Sequence, residues 1–283
     1  MGARSAVPDP SGAEGTTPSL DTLTFVGTAT TILRLGGFTL LTDPNFLHRG
    51  QRAYLGKGLW SRRLTEPALQ PDALPALDAI VLSHLHGDHF DRIARRDLRR
   101  SQPVFTTPPA ARRLRSWGFA AEGLNTWGRR VLDKGEETLS IEAVPAVHAR
   151  GLMGVLLPPV MGSVLEHRVR DEVRRRIYVS GDTLTGDHVS EIAVRHPDLD
   201  LALVHLGGTR VLLHTVTMDA EQGVDFLQRV RPRQAMPVHY DDYGVFRSPL
   251  AAFERAAAGG GLGRLVRRVE RGQTVPLDPI DPS

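Results

Sequence analysis

The chain of 283 residues is 41% hydrophobic and 24% charged, which lets it bury a sizeable core in one large domain or two small ones, so that it need not be disordered. Its formal net charge is +3, and Lys57 and Lys134 are its only lysines, so its basic character is arginine spread along the chain; a nucleic-acid binder would concentrate that charge in a patch. With no cysteine, disulfides, thiolate ligands and a cysteine nucleophile are excluded, and any metal must be held by nitrogen and oxygen.

Residues 1–20 are rich in Gly, Pro, Ser and Ala and read as a tail. They hold no apolar run of the length a secretory signal needs, and nowhere do about 18 consecutive apolar residues occur. The expectation is a cytoplasmic protein without a membrane span. Ordered structure is predicted from TLTFVG at 22–27, followed by TTILRLGG and FTLLTDP, whose β-branched alternation around Gly36-Gly37 marks a hairpin. Residues 47–77 show no period and are predicted to form one long ordered loop, a feature that is often functional. DAIVLS at 78–83 is a short apolar run and reads as a buried strand. After it come a helical DRIARRDLRR, a strand at PVFTT, a helix near PAARRLRSWG, and strands through VLDKGEETLSIEAVPAVHA, GSVLEHR and RRIYVSGDT. SEIAVRHP reads as a helix, DLALVHLGG at 200–208 as a buried strand, and residues 219–232 as a helix opened by Asp219 in a capping position. QAMPVHY is a predicted strand, SPLAAFERAAA a helix, and RRVERGQTVPL a last strand before a short tail at 278–283. Strands alternating with helices predict a single α/β domain over 21–277, with helices outside a sheet core.

The densest chemical signal is SHLHGDHF at 83–90, three histidines and an aspartate within six positions of a chain that has 11 histidines. In extended backbone, side chains at i and i+2 project to the same face, so His84 and His86 can reach one cation. Gly87 permits a sharp turn that brings Asp88 and His89 round to a second position. A cation of this type takes about four to six ligands, so others must come from elsewhere. His148, Asp182 in SGDT and His239 each follow an apolar, strand-like run, and strand ends are where α/β folds assemble sites.

This order of motifs, SHLHGDHF, a lone histidine, SGDT and a late strand-end histidine, resembles the metallo-β-lactamase superfamily over roughly residues 22–275. FVGTATTILRLGGFTLLTDPNF is similar to the opening of the branch that holds ascorbate-6-phosphate lactonase and N-acyl-phosphatidylethanolamine-hydrolysing phospholipase D. The resemblance implies a four-layer αββα sandwich and two divalent cations, zinc in the first place and manganese or iron as alternatives. It implies His84, His86 and His148 on the first cation, Asp88, His89 and His239 on the second, and Asp182 between the two. Asp88 and Asp182 are thereby the candidate catalytic carboxylates. The chemistry implied is a hydroxide held between two cations, formed because metal binding lowers the pKa of water to about 7. Asp43, in the LTDP turn, resembles a carboxylate that orients a ligand imidazole.

The departures bear on the substrate. The branch usually carries histidine where this chain has Thr28 and, just before a helix, Thr217. Threonine is no general acid at neutral pH; His214 is the alternative, and Thr217 is a candidate helix cap. His205 follows a buried strand near the expected site, as a core residue or as support for a ligand. Asp241 and Asp242 in HYDDY are either carboxylates supporting His239 or turn formers. Arg52, Arg62, Arg63 and Arg210 either line the mouth of the site, favouring an anionic substrate, or form solvated surface. Tyr54 and Trp60 are read as loop packing or as part of that mouth, and His48, His167, His188 and His196 as surface or loop residues. The leading reading is a hydrolase acting on an ester, lactone or phosphodiester of a small molecule, with a homo-oligomer compatible. An iron-dependent oxidative enzyme, a nuclease and a non-enzymatic binding protein are the competitors, and nucleic acid is disfavoured by the mild charge.

Overall fold

Alternation along short strands sets the layers. In the computed structural model, which describes residues 21–151, 157–211 and 214–277, β1 (Thr22–Gly27), β2 (Thr30–Leu35) and β3 (Phe38–Thr42) form an antiparallel meander. The β2–β3 turn is the predicted two-glycine hairpin: Leu35 pairs with Phe38, and Gly36 takes φ +53°, a conformation glycine adopts without strain. β6 (Ala79–Val81), β7 (Val104–Thr106) and β8 (Ala121–Gly123) extend from β3 in parallel. β17 (Thr274–Pro276) closes the opposite edge beside β1, completing a seven-stranded sheet.

The second sheet has the order β16 (Gln234–Val238), β13 (Leu201–His205), β12 (Glu172–Val179), β11 (Gly162–Val169), β10 (Glu137–Val144) and β9 (Arg129–Lys134). Ala79 and Val81 of β6 face this sheet and share a core with Leu139, Ile141, Leu165 and Ile177. Ile80 and Leu82 point the other way, onto Ile93 and Ala94 of α1 (Arg92–Asp97) and Ala111 and Leu114 of α2 (Pro108–Ser116). The outer face of the second sheet is covered by α3 (Asp187–Arg195), α4 (Ala220–Val230) and α5 (Leu250–Gly259); Tyr178 stacks on Phe226 at 5.4 Å. Between β13 and α4, β14 (Arg210–Val211) and β15 (His214–Thr215) pair only with each other. The result is the expected αββα sandwich.

Three segments differ from the sequence reading. The predicted loop 47–77 contains a hairpin of β4 (Arg52–Tyr54) and β5 (Trp60–Arg62), whose strands are too short to show a period. DRIARRDLRR is helical only to Asp97, because Leu98 turns to extended backbone and buries itself in the outer core. The last strand is confined to Thr274–Pro276. His167 and His196, read as surface or loop residues, are both buried; His167 packs edge-on to Phe38 and meets Glu137 at 3.1 Å. The tails at 1–20 and 278–283 fall outside the described residues, among which no helix is long and apolar enough to cross a membrane.

Candidate metal centre

Six strands end at one rim of the sandwich and carry the chemistry there. Asp43 follows β3 and the 84–89 loop follows β6, two parallel neighbours of the first sheet. In the second sheet, His148 lies beyond β10, Asp182 beyond β12, His205 at the end of β13 and His239 directly after β16. β12, β13 and β16 run parallel, and β10 has the same sense through its two antiparallel steps, so all four point their C-terminal ends at the rim. All of these histidines and aspartates are buried.

The side chains converge in overlapping triads. Ligand atoms lie within 4.8 Å of one another in each of the sets His84, His86, His148; Asp88, His89, His239; and His84, His89, Asp182. His84 Nε2 and His86 Nδ1 are 2.9 Å apart. Asp182 Oδ2 is 3.2 Å from His89 Nε2 and 3.9 Å from His84 Nε2, so it stands between the first two sets. His239 Nε2 is 3.4 Å from Asp88 Oδ2. Two tautomers are fixed by backbone carbonyls: His148 Nδ1 donates to Val216 O at 2.9 Å and His239 Nδ1 to Leu206 O at 3.1 Å. Each therefore keeps a lone pair on Nε2, the form a cation needs.

Crowding five imidazoles with two carboxylates splits their proton affinities. Burial pushes the Asp182 carboxyl up, but His239 and His89 more than offset this and hold it well below the usual range. Burial drives the His84 imidazole well below its ordinary value, and drives that of His86 down to about 4 against the pull of Asp88. His89 and His239 go the other way, because the carboxylates beside them outweigh their burial.

Hydrogen bonding shows whether a cation fits. His86 Nε2, His89 Nε2, Asp88 Oδ1 and Asp182 Oδ1 are buried without a hydrogen-bond partner. An unsatisfied buried polar atom costs about 1–3 kcal/mol, more when charged. Four such atoms converging from two loops, the one after β6 and the one after β12, all nitrogen and oxygen, form a donor set that a divalent cation satisfies and protein groups do not.

Behind this set, Ser83 Oγ donates to Asp43 Oδ1 at 2.9 Å and lies 3.0 Å from His84 Nδ1 and 3.3 Å from His89 Nδ1. Asp43 Oδ2 is 3.5 Å from His89 Nδ1 and 3.4 Å from His205 Nε2. Burial pushes the Asp43 carboxyl up, yet the two imidazoles bring it down to about 2. His205, whose Nδ1 lies 3.2 Å from Ser180 Oγ, thus supports Asp43 from behind the cluster.

Other predicted residues stand elsewhere. Asp241 is turned outward, half exposed, and pairs with Arg271 at 3.0 Å; its neighbour Asp242 is the one that points inward. Arg63 does not line a mouth, because its side chain is completely buried against Asp242, while Arg52, Arg62 and Arg210 are exposed. Thr217 does not cap α4: its hydroxyl accepts from Thr209 N at 2.8 Å, and Asp219 caps the helix by accepting from Gln222 N at 3.0 Å. The His214 side chain lies outside the described residues. The sequence reading passed over Ser83, Asn45 and Asp91. Asp91 caps α1 through Ala94 N and also accepts from Leu47 N and Asn45 Nδ2; its position just ahead of a helical period was the available signal.

A sandwich of two sheets with a histidine-aspartate centre at the strand ends defines a metallohydrolase-like class of fold and site. The sequence profile of the beta-lactamase superfamily domain matches residues 39–240, and the chain belongs to the metallo-β-lactamase superfamily. It is 27% identical over 239 residues to N-acyl-phosphatidylethanolamine-hydrolyzing phospholipase D 1 of Caenorhabditis elegans, covering 78% of this chain and 64% of that protein, just under two thirds of its length. A metal-dependent hydrolase of Nanoarchaeum equitans is 24% identical over 73% of this chain and 88% of its own. Among solved structures, an isothiocyanate hydrolase from Delia radicum gut bacteria superimposes with a TM-score of 0.76 at 21% identity, covering 90% of this chain and 98% of that one. A diiron β-hydroxylase from Streptomyces venezuelae shares the fold with a TM-score of 0.63 at 15% identity, over 92% of this chain and 55% of that one.

Proposed function

We propose that this member of the superfamily is a metal-dependent hydrolase that uses two divalent cations to split an ester, lactone or phosphodiester bond of a small molecule. The observation that carries this reading is the convergence of buried lone pairs without partners on His86, His89, Asp88 and Asp182, within reach of His84, His148 and His239. His84, His86 and His148 hold one cation, Asp88, His89 and His239 the other, and Asp182 is shared. Imidazole-rich oxygen and nitrogen sets suit zinc, with iron and manganese as alternatives. When bound, such cations supply Lewis acidity, polarising the bond to be cleaved and acidifying water at neutral pH.

The chain's own groups set this up. Val216 and Leu206 carbonyls fix which nitrogen of His148 and His239 is free to bind. Asp43 orients His84 through Ser83 and His89 directly, and its charge raises the basicity of His89. The hairpin tip closes over the centre, where a β-carbon on Gly56 would sit 3.5 Å from His86 Nε2; it shields that ligand from water. The exposed Arg52 and Arg62 on the same hairpin favour an anionic substrate.

Metal analysis of the purified protein with a panel of esters, lactones and phosphodiesters tests the reading. Asp182→Ala and His86→Ala are each expected to lose metal and turnover together, and retention of both in either variant rejects the assignment. Stoichiometric iron with an oxygen-dependent product moves the reading to the oxidative alternative.

A further inference from the structure

A buried ion pair outside the proposed ligand set is linked to it on two sides. The Arg63 and Asp242 side chains are each 0% exposed, with Arg63 Nη2 3.2 Å from Asp242 Oδ1. On one side, Arg63 Nη1 donates to Asn45 Oδ1. That oxygen also accepts from Tyr243 Oη at 3.0 Å and Thr28 Oγ1 at 3.2 Å. Asn45 then donates through Nδ2 to Gly87 O at 2.9 Å, the peptide between His86 and Asp88. On the other side, Asp242 Oδ2 accepts from Thr28 N at 2.8 Å, and Thr28 O accepts from His239 N at 2.7 Å. Thr65 and Arg271 complete the Asp242 carboxylate.

We infer that Arg63 and Asp242 are positioning residues that set the spacing of Asp88 and His239, and so determine binding at one cation position more than at the other. This rests on the two-cation reading above. Asp88 and His239 belong to different elements, and Asn45 and Thr28 are where the network grips each. The other position is reached by neither Asn45 nor Thr28 at a ligand: Val216 O holds His148, and Ser83, which it shares with His89, meets His84. The backbone at His239 adopts φ +61°, a left-handed conformation for a non-glycine residue, which persists only when its surroundings over-determine it. The bond from His239 N to Thr28 O is one of those constraints. A guanidinium is required at the node because its planar fork directs Nη1 to Asn45 Oδ1 and Nε to Thr65 O at 3.2 Å while keeping its charge beside Asp242, which an ammonium does not.

Cobalt titration of the wild-type chain and of Arg63→Lys tests this, with spectra and bound equivalents as readouts and thermal unfolding as the control for folding. The wild type is expected to take up two equivalents. Arg63→Lys is expected to bind the first with unchanged affinity and the second roughly 10–100-fold more weakly, the range for removing a partner that orients a metal ligand. A folded variant that binds both as the wild type does, or weakens both equally, overturns the inference. If Arg63→Lys does not fold, Tyr243→Phe removes only the hydroxyl on Asn45, and the same selective loss, several-fold, is required of it. A wild type that takes up a single equivalent overturns the two-cation reading, and this inference falls with it; two equivalents unchanged in the variants overturn this inference alone.

Discussion

Thr28, Asp43 and His239 hold φ of +54°, +35° and +61°, and all three are buried beside the imidazole cluster. Non-glycine residues in this region cost about 1–3 kcal/mol each and gather where a site imposes its geometry. The groups that hold them are charged, so their effect depends on pH. Burial pushes the Asp242 carboxyl up, but Arg63 and Arg271, helped by Thr65 and the Thr28 amide, hold it below the usual range. A carboxylate with a depressed folded-state pKa contributes stability that is present above its unfolded value of about 3.9 and is lost as the pH falls through the folded value. Asp242→Asn is therefore expected to cost about 3–5 kcal/mol at neutral pH, the range for breaking a buried pair, with the gap to wild type narrowing under acid. Urea unfolding of both chains at pH 7 and pH 3 measures it, and a gap of the same size at both values contradicts the argument. The proposed ligand residues are legible in sequence because four of them fall within six positions at strand-and-turn spacing. Arg63, Asn45 and Asp242 are not, since each is an ordinary polar residue with partners in the network as far as 214 positions away.

At the scale of elements, the β4–β5 hairpin is clamped to the 84–89 loop through a glycine. Gly87 N donates to Tyr54 O at 2.9 Å, and a β-carbon on Gly87 would stand 2.7 Å from Tyr54 O and 2.8 Å from Tyr54 N. Those are backbone atoms of a paired strand, which cannot swing aside. Gly87→Ala is expected to force the hairpin and loop apart, lowering stability by about 1–3 kcal/mol and weakening metal uptake in the same variant. Thermal unfolding and cobalt titration read the two effects, and a variant that matches wild type in both removes the seam from the account. The hairpin escaped the sequence reading for a physical reason. Arg-Ala-Tyr and Trp-Ser-Arg alternate exposed-buried-exposed, but three residues carry no measurable period and the strands pair only with each other. Elements with a local stop or start signal were legible: the Gly36-Gly37 turn and the Asp219 cap are both in place.

For the whole molecule, the proposed ligands join the two sheets. His84, His86, Asp88 and His89 hang from the first, and His148, Asp182 and His239 from the second, so bound cations would add a clamp between layers that also meet through apolar packing and polar links such as Asp43 to His205. Anything that binds the folded chain and not the unfolded one stabilises it by RT ln(1 + [L]/Kd), about 4 kcal/mol when the free cation is a thousandfold above its dissociation constant. In a protein of this size each kcal/mol moves the melting midpoint by roughly 2–4 °C, so stripping the metal with a chelator is expected to lower it by about 8–16 °C. The loss should reverse on adding zinc back, and amide exchange should quicken after β6 and after β16 alike, because the clamp reaches both sheets. Exchange that quickens in one sheet only would mean that the cations sit within a single layer's loops. A midpoint indifferent to the chelator, in protein shown to have carried metal, would mean that the sandwich is stabilised without them and that the four unpartnered atoms find water instead.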